Sequence, residues 1–189
     1  LHKRKLLEIA AAGGEGLKPF SDVSDNQGIG FDPAYSGECT ELLDDKKITF
    51  IKDFYSAAYN DFQADFLYCK MTLEHIFQPA EFVNMVRNSI GDSSNTIVFF
   101  QVPDVTRILQ EIAFWDIYYE HCSYFSMGSL SYIFQNSGFE ILHQDIVYDG
   151  QYLVLEAKPA TNPLPMLTDE NKDIDALLDA VSNFKEKFP

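Results

Sequence analysis

KLLEIAAAGGEGL, residues Lys5–Leu17, runs a short apolar stretch straight into a loop of alanines and glycines. Small residues after a buried strand let backbone approach a ligand closely and aim the N–H groups of a following helix at it. Taken alone the loop is also an ordinary tight turn between closely packed elements. It gains meaning from GIGFDP (Gly28–Pro33), a second apolar stretch ending in Asp32. An acidic side chain there can accept hydrogen bonds from two ribose hydroxyls. Together the two stretches imply an adenosine-type cofactor. A dinucleotide fits less well, because AAAGGEG lacks the first glycine of G-x-G-x-x-G.

Outward from this pair, apolar runs bounded by turn residues recur at Lys5–Ala10, Gly28–Phe31, Ile48–Ile51, Ala64–Cys69 and Thr96–Val102, with helix-like segments between several of them. Continuous runs such as TIVFFQV belong to strands buried on both faces, so the alternation predicts an α/β fold with a mainly parallel sheet and helices on both sides. Ligands in that architecture bind at the carboxyl ends of the strands. Past residue 103, Val105, Ile108, Leu109 and Ile112 follow one helical face, and Ser126 can cap a helix carrying Leu130, Ile133 and Phe134. Gly138 suits that helix's exit. Phe139–Val147 and Gln151–Lys158 read as a hairpin around Asp149–Gly150. The domain therefore spans 1–158. Residues 159–167, with Pro159, Pro163 and Pro165, form a linker, and 168–189 an amphipathic helix with Thr168 as N-cap, packing back on the domain or leading into another.

Composition narrows the partners. The 189 residues carry 14 Lys plus Arg against 29 Asp plus Glu, a net charge of −15, which disfavours nucleic acid and anionic membrane surfaces and leaves a small-molecule substrate. No apolar run reaches the ~20 residues that span a bilayer. Cys39, Cys69 and Cys122 form no CxxC pair, so neither a disulfide framework nor a metal site is expected, and reduced thiols suit a cytoplasmic protein. Cys122 reads as a small buried residue. The start, LHKRKLLEIA, enters a strand abruptly, as in a piece cut from a longer protein.

With Glu8, Gly13, Gly14 and Asp32 at the first two strand ends, the chain resembles class I S-adenosylmethionine-dependent methyltransferases. Ala10 and Ala12 stand where that family often has Gly or a polar residue. The resemblance implies a Rossmann-like, mostly parallel seven-stranded sheet with a terminal antiparallel hairpin, and S-adenosyl-L-methionine as cofactor. It adds Ala10 and Pro33 to the cofactor site. In IKDFYS, Asp53 and Phe54 would meet the adenine, although such a pair is also ordinary strand-end chemistry. In ADFLYCKMTLEHI, Lys70 and Met71 would border the methionine half, and Glu74–His75 would face the reaction side.

Later in the chain, AFWDIYYEHCSYFS (Ala113–Ser126), with FQVPD before it and GFEILHQDIVYDGQYLVLEAKP after it, resembles the C-methyltransferases of nucleotide-linked keto-deoxysugars. Their motif has the form Tyr-x-Glu-His, matched by Tyr118, Glu120 and His121. Tyr119 replaces a frequent histidine and Gln101 a common acidic residue. Full-length members resemble a three-part plan with flanking domains, of which this chain carries only the methyltransferase part.

To methylate a carbon beside a ketone, a base must remove a C–H proton and the enolate must be stabilised until it attacks the methyl. His121 is the candidate base, Glu120 orients it or holds a hydroxyl, Tyr118 donates to the enolate oxygen, and His75 is a second proton handler. A histidine among aromatics is equally a packing residue. Trp115, Tyr124 and Phe125 would fill a core or wall off water. The alternatives are a methyltransferase-like binding module and an O- or N-methyltransferase.

Overall fold

The structure is a computed structural model that describes residues 4–12, 16–22, 26–37, 40–43, 46–91, 93, 95–161 and 170–187. The elements run β1 (Lys5–Ile9), α1 (Leu17–Asp22), β2 (Gln27–Phe31), β3 (Thr40–Leu43), β4 (Lys46–Ile51), β5 (Phe66–Lys70), α2 (Pro79–Ile90) and β6 (Ile97–Pro103). Then follow α3 (Val105–Glu111), α4 (Met127–Asn136), β7 (Phe139–Val147), β8 (Tyr152–Pro159) and α5 (Glu170–Lys187). All seven expected strands lie in one sheet of order β3-β4-β2-β1-β5-β6-β8-β7. An eighth, the short β3, pairs antiparallel with β4 at the edge and was not anticipated.

β4, β2, β1, β5 and β6 are mutually parallel, so their carboxyl ends share one edge. β8 runs antiparallel to β6, and β7 to β8, as the DG turn predicts. Tyr148, Asp149 and Gly150 all take positive φ in that turn. For Gly150, at φ +82°, this carries no side-chain penalty.

The larger core lies on the face covered by α2 and α4. Leu7, Ile9, Leu67, Val98, Phe100, Leu153 and Leu155 from the strands meet Val83, Val86, Leu130 and Phe134 from the helices. Full burial of each such aliphatic or aromatic side chain is worth about 1.5–3 kcal/mol. On the opposite face α1 covers a smaller cluster built on Leu6, Ile48, Phe50 and Tyr68, with Tyr35 stacked on Phe50 at 4.1 Å. Beyond it, Phe66, Phe99, His143, Val154 and Glu156 line an open depression of about 470 Å³, so helical cover on this face is uneven.

Helix α4 begins as its sequence predicts. Ser126 accepts the Ser129 N–H, and Ser129 Oγ in turn accepts the Ser126 N–H. Gly138, at φ +82°, lies just past its end. Asp104 caps α3 by accepting the Thr106 N–H at 2.8 Å, and Ile112 closes that helix in the left-handed region. The C-terminal helix packs back on the domain, against α3. Thr168, Pro163 and Pro165 lie outside the described residues.

Candidate active site

The parallel strands deliver their termini to one edge, and there the cofactor candidates assemble. Glu8, near the end of β1, points beneath the loop. Its Oε2 accepts the Leu17 N–H at 3.2 Å and its carboxyl pairs with the Tyr68 hydroxyl. Burial pushes the Glu8 pKa from an ordinary 4.5 to about 7, against the opposing effects of Tyr68, the Leu17 N–H and Lys70. A Cβ on Gly16 would fall on Glu8 Oε1 and 2.7 Å from the Tyr68 oxygen, so Gly16 lies tightly against this pair.

Ala10 (φ 60°) and Ala12 (φ 43°) occupy the left-handed region that glycine adopts freely. The departure from the family pattern is thus one of residue type, with the glycine-like backbone retained. That backbone aims the Ala12 N–H at Asp32 Oδ2, 2.8 Å away, while Asp32 Oδ1 accepts the Ala34 N–H at 2.7 Å. Two amide bonds fix the carboxylate, and its remaining lone pairs stay available to ribose hydroxyls. Pro33 is exposed in the adjoining turn. Gly13 and Gly14 lie outside the described residues.

Across β2, Asp53 follows β4. Its carboxylate accepts the Phe54 N–H at 2.8 Å and the Tyr59 hydroxyl at 2.6 Å, and these bonds, Tyr59 first, hold its pKa below the usual range. Phe54 is 72% exposed, an apolar face available to a ring. Lys70 ends β5 exposed, and Met71, at φ 50°, donates its N–H to Gln101 O at 2.8 Å. The donor set is compatible with S-adenosylmethionine: Asp32 presents a fixed carboxylate, Phe54 an exposed aromatic face, and Met71 lines the adjoining cavity.

Beyond Met71 opens a cavity of about 310 Å³. It brings His75, Tyr118, Glu120 and His121 together with Glu74 and Met71. The 3₁₀ turn Leu73–His75 supplies one histidine, and the loop before α4 the other. Cys122 and Ser123 donate their N–H groups to Glu74 O at 2.7 and 3.1 Å, which latches that loop to the end of β5. The imidazoles of His75 and His121 meet edge to face at 4.9 Å, with the Tyr118 and Tyr124 rings 5.1 and 5.6 Å from His121. His75 Nδ1 lies 3.2 Å from Glu120 O. Burial, and then the charge of His75, lowers the His121 pKa, while Glu120 acts in the opposite sense. A neutral imidazole in a pocket of this kind is equipped to take a proton.

Several residues of the cavity carried no signal in sequence. Arg107, an ordinary helix position by its pattern, donates from Nη1 to Asp116 Oδ2 at 2.7 Å and pairs with Glu111 at 2.9 Å. Gln151 and Tyr152 arrive from the hairpin. Asp116 thus anchors this arginine at the cavity.

The aromatic run is less closed than its composition suggested. Phe125 is buried, but Trp115, in the short 3₁₀ turn Phe114–Asp116, is 58% and Tyr119 fully exposed. Cys122 is also exposed, a correction to its reading as a buried residue. Among the described residues no helix is long and apolar enough to cross a membrane.

A parallel sheet with carboxylates fixed at its strand ends, beside a histidine-lined cavity, fits a nucleotide-cofactor transferase of the class I methyltransferase type. The comparisons agree: residues 2–144 match the family model described as "Methyltransferase domain", and the chain belongs to that family. S-adenosylmethionine is the cofactor of that domain.

The C-methyltransferase NovU of Streptomyces niveus is 30% identical over 101 residues, which cover 52% of this chain and 24% of NovU, so the likeness spans about a quarter of that relative's length. Among solved structures, an S-adenosylmethionine-dependent methyltransferase from Mesorhizobium loti superposes with a TM-score of 0.59 at 10% identity, covering 83% of this chain and 91% of its own. Magnesium protoporphyrin IX methyltransferase from Synechocystis PCC 6803, with bound SAH, gives 0.58 at 12% identity, covering 82% and 74%. At these identities the structures share the fold.

Proposed function

We propose that this protein transfers a methyl group to carbon, using a nucleotide-linked keto-deoxysugar or a similar small ketone as acceptor. The observation that carries the reading is the His75–His121 pair at the mouth of the cavity, with Tyr118 beside it and Met71 leading back to the cofactor edge. When bound, S-adenosylmethionine supplies an electrophilic methyl. The chain supplies everything else. His121 removes the proton from the carbon beside the ketone, Tyr118 donates to the enolate oxygen as charge develops, and Glu120 holds an acceptor hydroxyl. His75, edge to face with His121 at 4.9 Å, is a second proton handler, reaching it through one water. The partial likeness to NovU favours a carbon acceptor.

The test is isotope exchange. With the full-length protein, S-adenosylhomocysteine and a nucleotide-linked keto-deoxysugar in deuterated water, the acceptor gains deuterium beside its ketone, and with S-adenosylmethionine it gains one methyl. His121→Asn abolishes both. Methylation at the wild-type rate by His121→Asn would exclude a carbon-acid mechanism with His121 as base and favour an O- or N-methyl acceptor. Ala10 and Ala12, standing where the family often has Gly or a polar residue, motivate one other reading, a methyltransferase-like binding module. Cofactor binding with no transfer by the full-length protein would select it.

A further inference from the structure

Glu74 is only 1% exposed, and neither carboxylate oxygen has a hydrogen-bond partner among the described residues. His121 Nδ1 is likewise buried without a partner. Two unsatisfied buried polar groups in one place are costly unless they serve each other. One carboxylate oxygen of Glu74 and one ring nitrogen each of His75 and His121 lie within 4.8 Å of one another. That separation is spanned by one bridging water or a modest side-chain rotation. His75 Nδ1 is already engaged with Glu120 O, whereas His121 Nδ1 has no hydrogen-bond partner among the described residues. Glu120 itself is exposed. The backbone latch from Cys122 and Ser123 to Glu74 O holds the two side chains next to each other without involving either.

We propose that Glu74 is a positioning residue: its carboxylate accepts the Nδ1 proton of His121, directly or through one water, and so fixes the tautomer that leaves Nε2 free toward the cavity. A carboxylate behind an imidazole sets the tautomer and favours the imidazolium formed when a proton is taken up. The other groups facing this pair are Cys69 from β5, His75, Tyr118, Glu120 and Tyr124, with the Arg107–Asp116 ion pair also lining the cavity. Burial raises the Glu74 pKa, with the charge of His75 opposing.

The inference rests on the proposed function only for the role of His121 as base, and its test needs neither cofactor nor acceptor. In the ¹⁵N-histidine-labelled whole protein, long-range ¹H–¹⁵N correlations over about pH 5 to 9 report the tautomer and titration of each imidazole. Signals lost in His121→Asn identify that residue. The expected result is a neutral His121 protonated on Nδ1, whose pKa falls by about one unit in Glu74→Gln and in Glu74→Met as the counter-charge is removed. His75 keeps its tautomer.

Wild-type His121 protonated on Nε2 would overturn the proposal, as would the same His121 titration in both variants. So would a stoichiometric metal retained through purification, or saturable binding of added zinc chloride through both imidazoles, which would make the three side chains a cation site. If neither variant folds, the wild-type tautomer decides. Failure of C-methylation is read separately, in the deuterium-exchange assay.

Discussion

Replacing Glu8 by Gln should make the protein's stability less dependent on pH, by an amount the structure specifies. The carboxyl is buried under the loop, and burial raises its pKa from 4.5 to about 7. An acid with a raised pKa in the folded state ionises first in the unfolded chain. Its contribution is therefore fully present below pH 4.5 and is lost as pH rises through 7. The difference of about 2.5 units, at 1.36 kcal/mol per unit, corresponds to about 3 kcal/mol between pH 4 and pH 8. Gln keeps the shape and can still accept the Leu17 N–H, but has nothing to ionise.

Urea denaturation of wild type and Glu8→Gln across that range reads the effect. Their stability difference should change by about 3 kcal/mol in favour of the variant, mostly between pH 4.5 and 7, and level off above. The raised Glu74 titrates in both proteins and cancels in the difference. Parallel curves for the two proteins would refute the reasoning, because they would mean that Glu8 is solvated and its pairing with Tyr68 is not maintained.

Three further outcomes follow from the same geometry. Ala12→Gly should be neutral or stabilising by up to about 1 kcal/mol in thermal melts, since relief of the left-handed strain offsets the added unfolded-state entropy; a loss above about 1 kcal/mol would contradict the φ of 43°. Asp32→Ala should weaken S-adenosylhomocysteine binding at least ~10-fold by calorimetry, through loss of about 1.5–3 kcal/mol in charge-assisted hydrogen bonds; unchanged affinity would remove Asp32 from the site. Ser126→Ala breaks the α4 capping box and should cost about 1 kcal/mol, a fall of about 2–4 °C in Tm by scanning calorimetry.

The sheet was readable because its strands are short, apolar and punctuated. TIVFFQV and GIGFDP carry both their buried character and their endpoints. β3 was not readable: TELL is four residues long and acquires its identity only by pairing with β4. The strand-end residues Asp32, Asp53 and Met71 were legible for the same reason as the strands, since a parallel sheet commits its carboxyl ends to one edge. Glu120 and His121 were visible as a motif, yet the carboxyl buried deepest beside His121 belongs to Glu74, almost fifty positions earlier. No local pattern distinguishes its buried side chain from the exposed one of Glu120. Arg107 escaped for a similar reason, because its partner Asp116 is reached only after α3 ends in the left-handed turn at Ile112.

Trp115, stacked edge-on against Phe114 and adjacent to the cavity-lining Asp116, is the chain's single tryptophan. Its indole is still largely in water. The molecule thus carries its own optical reporter one residue from the cavity lining: an acceptor that draws Trp115 toward the cavity moves the sole indole out of water. A blue shift in emission would register occupancy without a label or a coupled enzyme, and would do so for an acceptor of any chemical identity.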